Sequence, residues 1–544
     1  MFAANQTWSR VTLDQETLMT TFHSLTYVPS NKSSFVPSTY QQNFFDWVDT
    51  GTGSCVLVAV AGSGKTTSVI EALAYVPVGQ SVVLLAFNAA IAKELTARVA
   101  ARFAETGSAH YDPRYVSAKT FHSLGYGVIR KYLAKLGVSM RDPDDKKIRG
   151  LARELLGADS ADYETYADYA TKLVGLAKGQ GIGCLVPDTD AAWYDLANHH
   201  DLYLDAEGAT EEQAVRGARE LLRLSNDAAR RGVIDFDDML YLVCLWKLRH
   251  WQNDWVFVDE AQDTNPVRRA LAKLALRIGG RLVAVGDPCQ AIYGFTGASH
   301  DAIDLIRHEF NTIELPLTVC YRCARDIVTE ARSIVPHLEA FAGAPQGKVE
   351  TLKLKDALPH LGAHDAVLCR QTAPLIKLAY TLIGQGTACR VLGRDIGAGL
   401  VSLVKRAKAR GLEQLQTKLE AYLEREIAKF TAKGQEQKAD ALNDRVASIL
   451  TVMDSLDENH RTVPALIAAI DGLFGDANGC LTLSTIHKAK GREWPTVAIL
   501  EPELMPSKFA RQDWQYRQEQ NLIYVAYTRA KLHLIFLETE KKPA

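Results

Sequence analysis

The sequence predicts an α/β protein built on two doubly wound parallel sheets with helical insertions. Three observations carry that expectation. Short apolar runs rich in β-branched residues recur along the chain, and each leads through a polar or glycine-bearing loop into a helical pattern. The runs fall into an early set and a late set, so two sheets are expected. Two long helical stretches interrupt this alternation and read as insertions.

The early strands are Val56–Val60, Val82–Ala86, Trp255–Asp259 and Leu282–Gly286, and the late ones are Ala366–Cys369, Leu481–Ser484, Thr496–Leu500 and Leu532–Leu537. Residues 1–37 form a poorly patterned N-terminal extension. Residues 38–127 and 234–314 are assigned to the first sheet domain, and 128–233 to a helical insertion broken at Gly179–Gly183. Residues 315–399 and 476–544 make the second sheet domain, and 400–475 a short helical insertion dense in Lys, Arg and Glu.

Bulk properties set limits. With 544 residues, several domains are expected. Hydrophobic content of 47% and charged content of 23% are ordinary for a globular chain. No apolar run approaches the ~18 residues of a membrane span, and the N-terminus has neither a basic start nor an apolar stretch. A cytoplasmic protein without a membrane partner is expected. Nine cysteines include one C-x-x-C, Cys320 and Cys323, with no second ligand pair nearby, so no zinc site is expected. A net charge of −2 gives no global attraction for nucleic acid, so any such grip must come from a local track of cations and aromatics.

The loop Gly62-Ser63-Gly64-Lys65-Thr66-Thr67 follows the first strand and opens a helix. Glycines let backbone N–H groups close around phosphate oxygens, and the helix N-terminus adds a favourable dipole. Lys65 suits β- and γ-phosphates, and the Thr66 hydroxyl suits Mg²⁺. The strict phosphate-loop pattern departs at its first position, where Ala59 stands. Asp259 ends another strand, where its carboxylate suits the same metal, and Glu260 beside it suits activation of a water. Gln290 closes a third strand end with a neutral amide. Arg322 and Arg529 come from the far half of the chain, where cations facing a triphosphate would promote its cleavage. ATP and Mg²⁺ are therefore the expected ligands, with Lys65, Asp259, Glu260, Gln290, Arg322 and Arg529 the candidate catalytic residues.

With Thr120-Phe121-His122-Ser123-Leu124, Ile234–Met239, Gln290–Phe295, Thr485–Gly491, Lys490–Trp494 and Tyr524–Ala530 added, the chain resembles superfamily 1 DNA helicases of the UvrD/Rep/PcrA type. The run Ala86–Leu95 is most similar to the F-box DNA helicase branch. The resemblance spans about Ser38 to Phe536 and implies two RecA-like domains. It implies that Gln41, or its neighbour Gln42, reads the adenine edge, that Tyr321 stacks on adenine, and that Glu493 touches the ribose. It further implies that Phe87, Tyr293 and Phe295 stack on single-strand bases, and that Thr120, His122 and His487 lie near the DNA backbone.

Departures stand beside these matches. Ala89 occupies a position often held by lysine, and Cys320 one often held by asparagine. The insertion between Gly393 and Cys480 is short, and its Lys405–Arg410 cluster reads as a solvated face more readily than as a duplex contact. With the resemblance ending near Phe536, no fused C-terminal nuclease is expected. The function expected from the resemblance is ATP-driven movement on single-stranded DNA, 3′ to 5′, with unwinding at single-strand/duplex junctions. The alternative is a DNA-stimulated ATPase that senses or remodels nucleoprotein and gates a partner in a repair, replication or defence complex. RNA unwinding is a weaker third reading.

Overall fold

The computed structural model describes residues 35–157, 160–200, 202, 210–249, 251–292, 301–432, 436–457, 461–474, 479–508, 510 and 513–538, backbone only at 161–165, 432 and 436–438. The chain divides after Ser38 into two units. Residues 35–38 of the first carry no regular secondary structure. Every helix and strand among the described residues belongs to the second unit.

Its first sheet contains β1 (Ser54–Ala59), β2 (Val82–Ala86), β3 (Val116–Thr120), β4 (Asn253–Val258), β5 (Leu276–Gly286) and β6 (Thr312–Leu317). Strand order is β3-β2-β4-β5-β1-β6, and every pairing is parallel. A ribbon of β7 (Val319–Cys320) and β8 (Glu339–Ala340) follows. The second sheet contains β9 (Lys348–Leu352), β10 (Ala366–Cys369), β11 (Cys389–Val391), β12 (Leu481–Thr485), β13 (Trp494–Leu500) and β14 (Ala530–Leu537). Its order is β11-β12-β10-β13-β14-β9, again wholly parallel.

Strand parity explains why the central strands read as unbroken apolar runs. Val56 of β1, Val83 and Leu85 of β2, and Val256 and Val258 of β4 enter one core, shared with the insertion helices. Their neighbours Cys55, Leu57, Val82, Leu84, Trp255 and Phe257 enter another on the opposite face. Alternate residues thus bury on opposite sides of a sheet covered twice. The second sheet repeats this, with Val367, Ala498 and Ile535 on one face and Leu368, Val497 and Leu534 on the other. That last core also takes in Val60, Ala61 and Ile292 from the first sheet's loops, so apolar packing joins the two lobes.

The first insertion brings helices Lys147–Leu156, Ala161–Gln180, Asp190–His199 and Glu211–Arg230. A buried ionic cluster pins it: Lys147 pairs with Asp238, and Lys178 with both Asp235 and Asp238. Gly181 and Gly183, at φ +77° and +87°, make the predicted break after the second of these helices. The preceding helix starts at Phe121, earlier than the sequence pattern suggests, because the Thr120 hydroxyl caps it. The later insertion is helical at Arg394–Arg406, Leu412–Ala432, Glu436–Asp454 and Val463–Leu473.

Candidate active site

In a parallel sheet all carboxyl ends lie along one edge, and here that edge carries the loops after β1, β4 and β5. The first loop turns on Gly62 and Gly64, with φ of +70° and +77°, a left-handed backbone that residues with a Cβ avoid. A Cβ on Gly62 would also fall 2.6 Å from the Arg322 Cβ and 2.9 Å from the Cys320 Sγ. The Gly62 carbonyl accepts the Tyr321 N–H at 2.8 Å. Gly64 starts the helix Lys65–Ala72, whose first-turn N–H groups have no partner within the helix. The Ser63 hydroxyl is buried and has no partner among the described residues.

The two adjacent glutamines differ. Gln41 is buried and donates to the Ser68 hydroxyl at 2.9 Å, which in turn donates to the Gly64 carbonyl at 3.1 Å. Gln42 donates to Asp46 at 2.7 Å on the surface.

Asp259 and Glu260 follow β4. Glu260 sits at φ +50°, ψ +46°, a conformation uncommon for a side chain of its size and held by its surroundings. Its N–H donates to Asp259 Oδ1 at 3.0 Å, and Gln262 Nε2 donates to Glu260 Oε2 at 2.6 Å. Burial and the neighbouring Glu260 charge push the Asp259 carboxyl up, against the pull of Lys65. Burial presses on Glu260 too, but Lys65 and Lys490 outweigh it and keep that carboxylate low. After β5, buried Asp287 accepts from Gln290 Nε2 at 2.7 Å, and its own N–H donates to Gln262 Oε1 at 3.0 Å.

The facing wall comes from the second sheet. Tyr524 accepts the Ala61 N–H at 2.7 Å and donates to Asp287 at 3.3 Å. Asn521 donates to the Pro288 and Ala291 carbonyls at 3.2 and 3.0 Å. Lys490 reaches both Asp263 oxygens, at 2.9 and 2.7 Å, and the Gln290 carbonyl at 2.7 Å. Arg529 is fully buried; it donates to the Val525 and Arg492 carbonyls at 3.0 Å, to Thr528 at 3.3 Å and, at 3.5 Å, to Gln290. These hydrogen-bond partners are neutral oxygens, so its charge keeps capacity for an anion. Arg322 instead pairs with Glu493 at 2.5 Å, and Lys531 holds the other Glu493 oxygen at 2.6 Å.

One cleft of about 830 Å³ therefore brings together residues 62–67, Phe87, Asp259, Glu260, Gln290, Arg322, Glu493 and Arg529. The remaining sequence candidates lie elsewhere. Tyr321 is partly exposed, with its ring 5.0 Å from that of Phe341. The Thr120 hydroxyl accepts from the Ser123 N–H at 3.0 Å as a helix cap. His122 is pushed down to about 4 by burial and then by Arg268, and His487 to about 3 by burial and then by Arg370. Tyr293 and Phe295 lie outside the described residues.

Residues 41–311 match the UvrD/REP helicase N-terminal domain, and residues 401–541 match the UvrD-like helicase C-terminal domain. The chain belongs to the UvrD/Rep/PcrA-type superfamily 1 helicases. Among its relatives, the ATP-dependent DNA helicase Rep of Escherichia coli K12 is 26% identical over 306 residues, covering 53% of this chain and 42% of that protein. A probable DNA helicase II homolog of Mycoplasma capricolum is 28% identical over 331 residues, covering 55% and 42%. The ATP-dependent DNA helicase PcrA of Staphylococcus epidermidis is 25% identical over 309 residues, covering 53% and 39%. The match thus spans less than half the length of these relatives. A solved arterivirus nonstructural protein 10 (helicase) aligns at 12% identity with a TM-score of 0.33 over 92% of this chain and 61% of that one, too loose a likeness to bear on the fold.

Sequence reasoning assigned no role to Tyr524, Asn521, Lys490 or Asp263, although Tyr524 and Lys490 lie inside its motifs and Asp263 follows closely on Asp259 and Glu260. In this UvrD/Rep family member they are side chains that cross between the lobes. For Asn521 and Tyr524 the available signal was polarity beside or within the apolar run Leu522–Ala526; Lys490 and Asp263 stand in polar segments that offered none.

Proposed function

We propose that this chain is an ATP-driven DNA translocase and helicase that hydrolyses ATP between its two sheets. The observation that supports it most is the meeting of Arg322 and Arg529, from the second sheet, with Lys65, Asp259 and Glu260 in one cleft. In this reading the 62–67 loop and Lys65 bind the triphosphate, and the buried Ser63 hydroxyl gains a partner. Gln41, behind the loop, is the better placed of the two glutamines for the base. Glu260, held ionised, accepts the proton of the attacking water while Gln290 orients it. Arg529 places buried charge against the transferred group, and Arg322 joins it by exchanging Glu493 for phosphate.

The residues present fit a hard divalent cation. Thr66 and Asp259 supply oxygen donors, and among the described residues no cluster of three or more ligands would form an all-protein cage. Mg²⁺ bound there would neutralise phosphate charge and relieve the unfavourable burial of Asp259.

Phe87 and the helix starting at Phe121 present the single-strand surface, on which stacking tolerates any base. A 3′ to 5′ direction follows from the family resemblance. Strand displacement on 3′-tailed, 5′-tailed and blunt duplexes tests the proposal: ATP-dependent displacement from 3′ tails alone is expected. DNA-stimulated ATPase activity without displacement would replace the motor with a sensing ATPase.

A further inference from the structure

Arg268 stands on the helix Pro266–Ala275, outside every motif that supplies the cleft. Its guanidinium lies 4.5 Å from the centroid of the Phe87 ring, within cation–π range. Its Nη1 donates to the Asp263 carbonyl at 3.1 Å. The Asp263 carboxylate is the group that Lys490 of the second sheet clamps at 2.9 and 2.7 Å. The same positive charge acts on His122 and on Asp237. Its Nε is buried with no hydrogen-bond partner among the described residues, an arrangement that costs free energy and that local satisfaction does not explain. One side chain thus touches a residue of the cleft's cross-lobe contact and the aromatic at the cleft's edge.

We propose that Arg268 is a positioning residue that fixes the Phe87 ring and ties it to the Asp263–Lys490 contact, so that opening or closing the cleft alters how Phe87 receives a single-strand base. The inference rests on the reading of Phe87 as a base-stacking residue. Arginine suits the task because its planar fork can lie on a ring while one N–H holds a carbonyl. Lysine offers charge without that plane.

The test uses the full chain and a fluorescein-labelled oligothymidylate, titrated without nucleotide and with a non-hydrolysable ATP analogue plus Mg²⁺. Wild type is expected to show two distinct affinities. In Arg268→Lys their ratio should collapse by at least ~5-fold toward one, the size of an ordinary coupling between sites, while affinity for the analogue holds. Phe87→Leu should collapse it similarly, and the double variant should do no worse than the worse single one. An unchanged ratio in Arg268→Lys, additive effects in the cycle, or a wild-type affinity blind to nucleotide would each overturn the inference while leaving the helicase reading in place. A wild type that binds no oligothymidylate would remove that reading and this one together. Thermal midpoints accompany each titration, and Arg268→Gln serves under the same criteria should the lysine variant not fold.

Discussion

The two walls of the cleft are made differently. The first-sheet wall is largely backbone and short side chains held by their own neighbours: the 62–67 loop turns on two left-handed glycines, and Glu260, Gln262, Asp287 and Gln290 bond among themselves. The second-sheet wall is made of long side chains: Lys490, Tyr524 and Arg529 reach across an apolar interface, and Arg322 is held beside them by Glu493. A backbone cradle keeps its shape whether or not the lobes meet. Side chains that reach across are in place only when they do. Under the proposed function, the first wall would bind the triphosphate and the second would make its hydrolysis conditional on closure.

The sharpest way to break this comparison is at Arg529. Arg529→Lys keeps a cation but loses the planar fork, and loss of an arginine acting on a transferred phosphoryl group commonly costs ~10³-fold or more in rate. The expected outcome is ATPase turnover reduced on that scale with nucleotide affinity little changed, checked by steady-state kinetics alongside equilibrium binding of a non-hydrolysable analogue. A loss of affinity as large as the loss of turnover would move Arg529 to the binding wall.

Lys65→Ala attacks the opposite wall. Turnover should fall by ~10²–10³-fold, the range for removing one preorganised charge contact, and here binding of the analogue should weaken with it. The fold should persist, because Lys65 opens a helix at the cleft surface rather than packing in a core. Circular dichroism and the thermal midpoint check this, and an unchanged turnover would refute the site.

Tyr524→Phe probes the seam between the walls. It strands the Ala61 N–H, whose acceptor lies at 2.7 Å, and an unsatisfied buried donor costs about 1–3 kcal/mol. A lowered urea midpoint is expected, with ATPase activity retained at reduced apparent nucleotide affinity. No change in either would mean that the seam is held by apolar packing alone.

The same contrast governs what the sequence revealed. Strands buried on both faces, such as Val82–Ala86 and Ala366–Cys369, announce themselves as continuous apolar runs. Apart from the short ribbon β7–β8, the four strands that the sequence did not disclose, β3, β6, β9 and β11, are the edges of the two six-stranded sheets. Edges carry polar residues and proline, as in Val-Ser-Ala-Lys-Thr of β3 and Pro316 of β6, because unpaired strands must discourage further pairing. At the site, contiguous loops were legible because one short segment performs the whole task. Contacts such as Tyr524 to Ala61, 463 residues apart, were not, since no local pattern says which distant polar group a buried hydroxyl will meet. Gln41 and Gln42 could not be separated by spacing either. The structure distinguishes them by burial, with Gln41 packed against the loop helix and Gln42 turned to Asp46.

The smallest expected effect compares a histidine from each lobe. Burial is the main cause that pushes His122 down to about 4 and His487 to about 3, both below the ordinary imidazole value. In the unfolded chain each protonates near ~6.5. The unfolded state therefore takes up protons first, so their contribution is intact above that pH and declines as pH falls toward the folded values. The two rings should therefore tilt the urea midpoint downward from pH 7.5 to pH 5, against an opposite tilt from Asp237, Asp259 and Asp263, whose raised carboxyls titrate in the same window and are common to every variant. His487→Gln should flatten that slope, and His122→Gln should flatten it no more, since its displacement is smaller. A slope unaltered by either substitution would show that neither ring is held neutral by the fold.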